Sequence, residues 1–252
     1  MVAAVKLQRH AGRRHSGRFL AEGPNLVGAA ARQGLVDEVF ATDAAAERHT
    51  AILAGLTVHA VTERAAKALS ETVTPSGLVA VCRTPSIELD GVLSGSPALV
   101  VIAVDLSEPG NAGTLIRLSD AMGAAAIIFA GHSVDPYNSK CLRSSAGSIF
   151  DVPVLTVPDT ADLISQLREA GMQILATTLD GDVSLDDGDE LLKSPTAWLF
   201  GSESHGLPAD LAAQADHRMK IPMAGGAESL NVATAAAICL YQTARAQRSA
   251  AE

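Results

Sequence analysis

The chain has 252 residues, of which 48% are hydrophobic, so it is long enough for one large domain or two smaller ones with a sizeable core. Its formal net charge of −9 disfavours a polyanionic partner overall, yet its first twenty residues carry five basic side chains and no acidic one: Lys6, Arg9, Arg13, Arg14 and Arg18. Surface fields are screened over about 10 Å, so such a local basic patch can still bind phosphates.

The composition also indicates the cellular compartment. The three cysteines, Cys82, Cys141 and Cys239, lie far apart and form no CxxC pair, which is typical of buried thiols in a reducing compartment. No segment reaches the roughly 18 consecutive apolar residues of a membrane helix, and no secretory signal follows the basic N-terminus. We therefore expect a cytoplasmic protein without a membrane partner.

Residues 1–83 are predicted to form a small α/β unit. Apolar runs predict strands and Ala-rich stretches predict helices, in the alternating order strand 18–23, helix 25–34, strand 36–42, helix 44–55, strand 56–61, helix 63–70 and strand 77–83. Residues 84–97 hold two prolines, two glycines and three serines, which indicates a linker.

After the linker, the alternation of strands and helices restarts. Strands are predicted at 98–106, 124–131, 152–157, 172–179, 196–201 and 217–223, and helices at 111–122, 138–147, 159–170, 208–215 and 230–248. Alternation of this kind favours a parallel sheet covered on both faces. Ligands of such sheets bind beyond the carboxyl ends of the strands, so we expect a site at the loops after residues 106, 178, 200 and 223.

Three loops that follow predicted strands carry candidate site residues. The polar residues of the first two loops fit either a structural or a functional interpretation. Asn111 follows a Pro-Gly turn and can cap the next helix, with Arg117 six residues further on; alternatively, both face a ligand. Gly201 and Gly206 flank a Ser-Glu-Ser-His sequence and allow a tight turn or a close approach to a ligand. A single histidine in such a loop, here His205, is most often only solvated.

The third loop connects Ile221-Pro222-Met223 to Ser229-Leu230-Asn231 at the start of the last helix. Ser229 is either a helix cap or a site residue, and apolar side chains in a loop suit an apolar part of a ligand. The sequence contains no G-x-G-x-x-G after a strand and no P-loop, which disfavours a dinucleotide-dependent oxidoreductase. The acidic stretch 180–190 has Leu185 where a calcium loop needs glycine, so we predict a solvated loop and no metal.

Taken together and in this order, the three loops resemble the motifs of the SpoU (TrmH-like) family of RNA 2′-O-ribose methyltransferases. The matching residues are Asn111, Gly113 and Arg117, then Gly201, Glu203 and Gly206, then 221–223 and 229–232. The resemblance covers about 98–248, including a stretch at 133–154 that these enzymes carry between the first two motifs. Residues 13–83 resemble, less distinctively, the family's RNA-recruiting domain. One departure is Ala233, where many members have a small hydroxyl residue.

This resemblance implies an α/β fold whose C-terminal parallel sheet contains a deep trefoil knot, preceded by a small α/β RNA-recruiting domain. Natural chains are nearly always unknotted, so alternation of strands and helices does not predict the knot. The implied domains are an RNA-binding domain with a basic arm at 1–83, the linker at 84–97 and the methyltransferase domain at 98–252.

The resemblance also implies S-adenosylmethionine as cofactor and a role for individual residues. Arg117 is assigned to activating the ribose 2′-hydroxyl, Asn111 to orienting the ribose or this arginine, and Glu203 to pairing with an arginine. Ser229 and Asn231 are expected to hold the loop and the nucleotide. The expected cofactor-binding residues are Gly201, Ile221, Leu230, Thr177, Gly206 and Met223. The expected RNA-binding residues are Arg9, Arg13, Arg14, Arg18, Lys140 and Arg143.

The expected activity is therefore 2′-O-methylation of a ribose in structured RNA, with ribosomal RNA favoured. Transfer RNA and a catalytically silent RNA-binding protein of the same fold are the open alternatives. The family resemblance also implies a homodimer. The last helix supports this independently, because it is apolar on most of its circumference and a single sheet face covers only one stripe of a helix.

Overall fold

The structure, a computed structural model, describes residues 2–251, and they form two units. Within the described residues, the first unit comprises 2–86 together with 135–150, and the second comprises 87–134 together with 151–251. No helix within the described residues is long and apolar enough to cross a bilayer.

The elements are numbered in chain order. The strands are β1 Arg18–Glu22, β2 Val36–Ala41, β3 Val58–Ala60, β4 Leu78–Arg83, β5 Leu99–Val104, β6 Ala126–Ala130, β7 Val154–Val157, β8 Gln173–Thr177, β9 Val183–Ser184, β10 Thr196–Phe200 and β11 His217–Lys220. The helices are α1 Val2–Val5, α2 His10–Ser16, α3 Pro24–Arg32, α4 Asp43–Arg48, α5 Thr50–Leu53, α6 Glu63–Leu69, α7 Leu89–Leu93, α8 Pro109–Ala121, α9 Ser139–Ser145, α10 Thr160–Glu169, α11 Ala209–Ala212 and α12 Val232–Ala251.

The first unit is built on a four-stranded mixed sheet in the order β1-β4-β2-β3. Strand β4 runs antiparallel to both β1 and β2, whereas β2 and β3 are parallel. The basic N-terminal segment, which was predicted as an arm, is folded into α1, a 3-10 turn at Lys6–Gln8 and α2. Helix α2 ends at Gly17, whose φ of +62° is a left-handed conformation that glycine adopts without strain.

A segment distant in sequence completes the first unit. The ring of Phe19 lies 4.8 Å from that of Tyr137 and 6.1 Å from that of Phe150, measured between centroids. Asn138 caps α9 by accepting the backbone N–H groups of Lys140 and Cys141 at 3.0 Å each. This stretch was predicted to belong to 98–252 because it resembles the segment that the family carries between its first two motifs. The structure groups 135–150 with the first unit because its aromatic side chains pack there.

The second unit is built on a seven-stranded parallel sheet in the order β7-β6-β5-β10-β8-β11-β9. Every residue of β5, β6 and β10 is buried, as predicted for central strands covered on both faces. Trp198 of β10 is fully buried and donates its indole N–H to Thr243 Oγ1 of α12 at 2.9 Å. This bond satisfies the one polar atom of the largest core side chain.

Two predicted irregular stretches are partly ordered. In the predicted linker 84–97, α7 forms and its apolar side chains pack against the core of the second unit, together with Ile87. In the acidic stretch 180–190, Val183 and Ser184 pair with β11 as an edge strand, so this stretch is not simply a solvated loop. All three cysteines are buried and unpaired, as predicted. The trefoil knot stays a prediction.

Candidate functional site

A cavity of about 600 Å³ lies in the second unit at the carboxyl ends of β8, β10 and β11. Its walls come from residues 177–180 after β8, 201–207 after β10, and the stretch from Arg218 to Val232 that connects β11 to α12. Loops after adjacent parallel strands meet at one edge of the sheet, which is why three stretches distant in sequence enclose one space. The predicted loops after residues 178, 200 and 223 all contribute.

The six predicted cofactor-binding residues all line this cavity: Gly201, Ile221, Leu230, Thr177, Gly206 and Met223. Their contact with a cofactor stays a prediction. The neighbouring Thr178 was not predicted as a site residue, but it lines the cavity, and its buried Oγ1 has no hydrogen-bond partner among residues 2–251. A buried hydroxyl without a partner is costly, so this atom marks a place where a ligand can satisfy the protein.

The loop 201–206 closes on itself. Ser202 and Gly206 exchange backbone hydrogen bonds of 3.2 and 2.9 Å, and Gly206 has a φ of +67°. A Cβ atom on Gly201 would lie only 2.1 Å from the carbonyl carbon of Gly206 and 2.2 Å from the nitrogen of Leu207. A tight turn and a close approach to a ligand were the two predicted reasons for glycine at residue 201, and the backbone of the residue's own loop supports the tight turn.

Three predicted catalytic residues form a hydrogen-bonded chain. Asn231 Nδ2 donates to Asn111 Oδ1 at 3.1 Å, and Asn111 Nδ2 donates to Glu203 Oε1 at 2.8 Å. Asn111 belongs to the first turn of α8, Glu203 to the loop after β10, and Asn231 directly precedes α12. The chain therefore joins two helix N-termini to the cavity wall.

The roles predicted for two residues differ from what the structure shows. Glu203 was expected to pair with an arginine, but its hydrogen bond is to Asn111, and no ion pair of Glu203 occurs within residues 2–251. Ser229 was considered as the cap of the last helix. Asn231 has that position instead, because its Oδ1 accepts the backbone N–H groups of Ala233 and Thr234 at 2.9 and 3.3 Å, while Ser229 lines the cavity.

Arg117 does not join this chain. It lies on α8 six residues after Asn111, which at 100° per residue places it about 120° away around the helix. Its side chain is exposed and has no hydrogen bond or ion pair among the described residues. The structure therefore leaves this guanidinium free to meet a molecule from outside the chain.

An ion-pair cluster at the cavity was not predicted. Arg218 of β11 lines the cavity and donates to Asp182 at 2.7 and 3.0 Å and to Asp180 at 3.4 Å. The hydrogen bond from Arg218 lowers the pKa of the Asp182 carboxyl. These residues lie 36 and 38 positions apart, and no local pattern indicates such a pair.

The predicted RNA-binding residues all lie in the first unit. Arg9, Arg14, Lys140 and Arg143 are exposed, and Arg18, also exposed, pairs with Asp37 at 2.7 Å. Arg13 differs from them, because only 8% of it is exposed.

The guanidinium of Arg13 is fully engaged within the fold. It contacts Asp135 at 2.6 and 2.7 Å and donates to the carbonyl oxygens of Leu7 and Gln8 at 3.0 and 2.9 Å. It is therefore not available to a phosphate, and the RNA-contact role predicted for this residue is corrected to a structural one.

Two family models match the chain. The SpoU rRNA Methylase family matches residues 98–241, which contain all three motifs, and the MRM3-like substrate binding domain matches residues 3–80.

Individual proteins are also similar. The 23S rRNA (guanosine(2553)-2'-O)-methyltransferase RlmP of Bacillus subtilis is 33% identical over 239 residues, covering 94% of this chain and 92% of that protein. A 23S rRNA (uridine(2479)-2'-O)-methyltransferase of Streptomyces viridochromogenes is 39% identical over 176 residues, covering 68% of this chain and 61% of that protein. The crystal structure of the SpoU methyltransferase AviRb from the same species, in complex with AdoMet, aligns with a TM-score of 0.87 and 31% identity, covering 98% of this chain and 97% of that one.

Proposed function

Because the chain belongs to the SpoU rRNA methylase family, we propose that it methylates a ribose 2′-oxygen of ribosomal RNA with S-adenosylmethionine as the methyl donor. One observation carries the proposal. The second and third motifs line a single cavity, and Asn111 of the first motif donates a hydrogen bond to the carboxylate of Glu203 in its wall.

The cavity suits S-adenosylmethionine in size and in chemistry. Small-molecule sites typically occupy about 300–1,000 Å³, and this cavity of about 600 Å³ lies within that range. Apolar side chains of Ile221 and Leu230 can cover the adenine, and the unpartnered Thr178 Oγ1 can bond to a polar group of the ligand. The carboxylate of Glu203 has the sign that a sulfonium cation requires.

When bound, S-adenosylmethionine supplies an electrophilic methyl group, so the chain's own residues have to prepare the nucleophile. A ribose hydroxyl is a weak acid, and its oxygen gains negative character as the proton leaves to an RNA phosphate oxygen or to water. Arg117 cannot remove that proton, because a guanidinium stays protonated at ordinary pH. Its role in the proposal is to hold an RNA phosphate and to stabilise the developing alkoxide.

The proposal includes a homodimer held by an exposed face of α12. Val232, Ala236 and Leu240 face the protein interior, but Ile238 is 36% exposed and Tyr241 is 53% exposed. These two side chains lie three residues apart on one face of the helix, where a second copy can cover them.

This face defines the test of the dimer. Ile238→Asp should convert the protein from dimer to monomer in light scattering at micromolar concentration, because it places a charge in an apolar contact. Ala250→Asp adds the same charge to an exposed position of α12 away from this face and should leave the dimer intact. Ala236 is fully buried, so a substitution there reports folding rather than association. A wild-type protein that is monomeric and active contradicts this part of the proposal.

The function itself is tested with purified protein and two RNA pools. Calorimetry should detect binding of S-adenosylmethionine, and transfer of a radiolabelled methyl group should occur to ribosomal RNA rather than to transfer RNA. Mapping of alkali-resistant linkages then identifies the methylated ribose. Transfer only to tRNA would change the substrate, and cofactor-independent RNA binding without transfer would indicate a silent RNA-binding protein. We place this activity in the cytoplasm, consistent with three free thiols.

A further inference from the structure

The hydrogen-bonded chain from α12 to the cavity has a fixed direction. Oδ1 of Asn231 faces the backbone N–H groups of Ala233 and Thr234. Backbone N–H groups can only donate, so they determine which atom of this side-chain amide is the oxygen. The Nδ2 atom of Asn231 must then point away from the helix, where it donates to Asn111 at 3.1 Å.

Asn111 continues the hydrogen-bonded chain in the same donor-to-acceptor direction. Because its Oδ1 is used as an acceptor, its Nδ2 is presented to Glu203 Oε1 at 2.8 Å. An ionised carboxylate can only accept, so the opposite end of the chain requires the same orientation of Asn111. The backbone at the start of α12 and the charge on Glu203 thus specify the same arrangement independently.

We propose that Asn231 and Asn111 are positioning residues that hold the carboxylate of Glu203 in one orientation in the cavity wall. Oε2 of Glu203 has no hydrogen-bond partner among residues 2–251, so it is the oxygen presented to a donor or cation of the bound ligand. The choice of S-adenosylmethionine as that ligand rests on the proposed function, whereas the direction of the chain rests on protein groups alone.

The proposal is tested by reversing the direction of the hydrogen bonds that join Asn231, Asn111 and Glu203. Asn231→Asp retains the helix cap, because a carboxylate accepts the same two N–H groups, but it has no hydrogen to donate to Asn111. Asn111 then has to turn its Nδ2 toward residue 231 and its Oδ1 toward Glu203, where two acceptors meet. Adding Glu203→Gln supplies the missing donor, because the Gln amide nitrogen can donate to Asn111 Oδ1.

Asn111→Asp tests the same contact by a second route. Its carboxylate still accepts from Asn231 but faces Glu203 without a hydrogen between them. The double variant with Glu203→Gln again restores a donor. Two different substitutions that are rescued by one and the same partner change distinguish a directional chain from a general structural defect.

Calorimetric titration with S-adenosylmethionine compares the wild type, the three single variants and the two double variants. We expect Asn231→Asp and Asn111→Asp each to weaken binding by about tenfold or more, since each leaves a charged acceptor without its donor. Each double variant should recover to within about threefold of Glu203→Gln alone.

Wild-type affinity in Asn231→Asp, or an equal loss with and without Glu203→Gln, overturns the proposal. If Asn231→Asp does not fold, the Asn111→Asp pair decides by the same criterion. A wild-type protein that does not bind S-adenosylmethionine contradicts the proposed function instead. In that case the hydrogen-bonded chain of Asn231, Asn111 and Glu203 is tested by melting temperature. Either Asp substitution should lower the melting temperature, and adding Glu203→Gln should restore it. A failure to restore the melting temperature overturns the proposal.

Discussion

Two helical arginines show that the two units of this protein use positive charge differently. In the first unit, Arg13 of α2 is buried, and its guanidinium is engaged by Asp135 and by two backbone carbonyls. In the second unit, Arg117 of α8 is exposed and has no partner among the described residues. A buried arginine whose three guanidinium nitrogens all contact acceptors within the fold maintains the fold, whereas an exposed one without a partner among the described residues is available to a ligand. Charge in the sequence does not distinguish them.

The largest effect is expected from removal of the available arginine. Arg117→Ala should lower single-turnover methyl transfer on the order of 10²–10³-fold, the range for loss of one preorganised electrostatic donor. Affinity for S-adenosylmethionine should stay within a few-fold, because Arg117 does not line the cavity. The rate is measured under saturating RNA, and Arg117→Lys, which keeps the charge but not the fork, should recover part of it. An undiminished rate would make Arg117 an ordinary surface residue.

Removal of the buried arginine should affect stability instead. Arg13→Ala leaves the Asp135 carboxylate without its partner, which should lower the free energy of unfolding by about 3 kcal/mol. Urea denaturation measures this, with Arg13→Ala/Asp135→Asn as the control that should recover part of the loss, because Asn removes the unpaired charge and still accepts the backbone N–H of Tyr137. If Arg13→Ala keeps wild-type stability but loses RNA affinity, the contrast between the two arginines is wrong.

The exposed basic residues of the first unit should affect RNA binding through its salt dependence. The triple variant Arg9→Ala/Arg14→Ala/Arg18→Ala should reduce the slope of log affinity against log salt by about two to three units, at roughly 0.7–0.9 per phosphate contact. Arg18 should contribute least, because Asp37 competes for it. Arg64→Ala, another exposed arginine of this unit, serves as the control. An unchanged slope would mean that these side chains are only solvated.

The smallest effect concerns the buried thiols, which report on each unit separately. Burial raises the pKa of Cys82, Cys141 and Cys239 to about 12 each. The folded protein therefore keeps them protonated, and the stability that they contribute is lost as the pH rises from about 8.5, the ordinary thiol value, toward 12.

At pH 8 a thiol-specific disulfide reagent should react with these cysteines only on unfolding. Cys82 and Cys141 belong to the first unit and should react in one step, which Arg13→Ala moves to lower urea, while Cys239 follows the second unit. Reaction of Cys141 together with Cys239 would contradict the assignment of 135–150 to the first unit.

Much of the fold was predictable because its signals are local. The fully buried strands β5, β6 and β10 appear in the sequence as continuous apolar runs, and the three motifs follow strand ends, so their meeting at one sheet edge could be expected. The family resemblance, which the comparisons confirm, added the cofactor and the order of the motifs. Gly201, Ile221 and Leu230, which line the cavity, were selected in this way, and their contact with a cofactor stays a prediction.

The hydrogen-bond and ion-pair partners of individual side chains were not predictable. Nothing near Arg13 in the sequence indicates Asp135, 122 residues away, and nothing near Arg218 indicates Asp182. Likewise, Asn111 was assigned to a ribose or an arginine, and Glu203 to an arginine, before the structure showed that the two bond to each other.

The sequence by itself determined most of the strands and helices and which chemical groups the loops carry, because hydrophobic period and motif spacing are properties of neighbouring residues. Only the tertiary structure decided what each polar group contacts. A hydrogen bond needs two atoms within about 3 Å, and the fold meets that condition between residues that are up to 149 positions apart. The same guanidinium group is therefore part of the core at residue 13 and open to a substrate at residue 117.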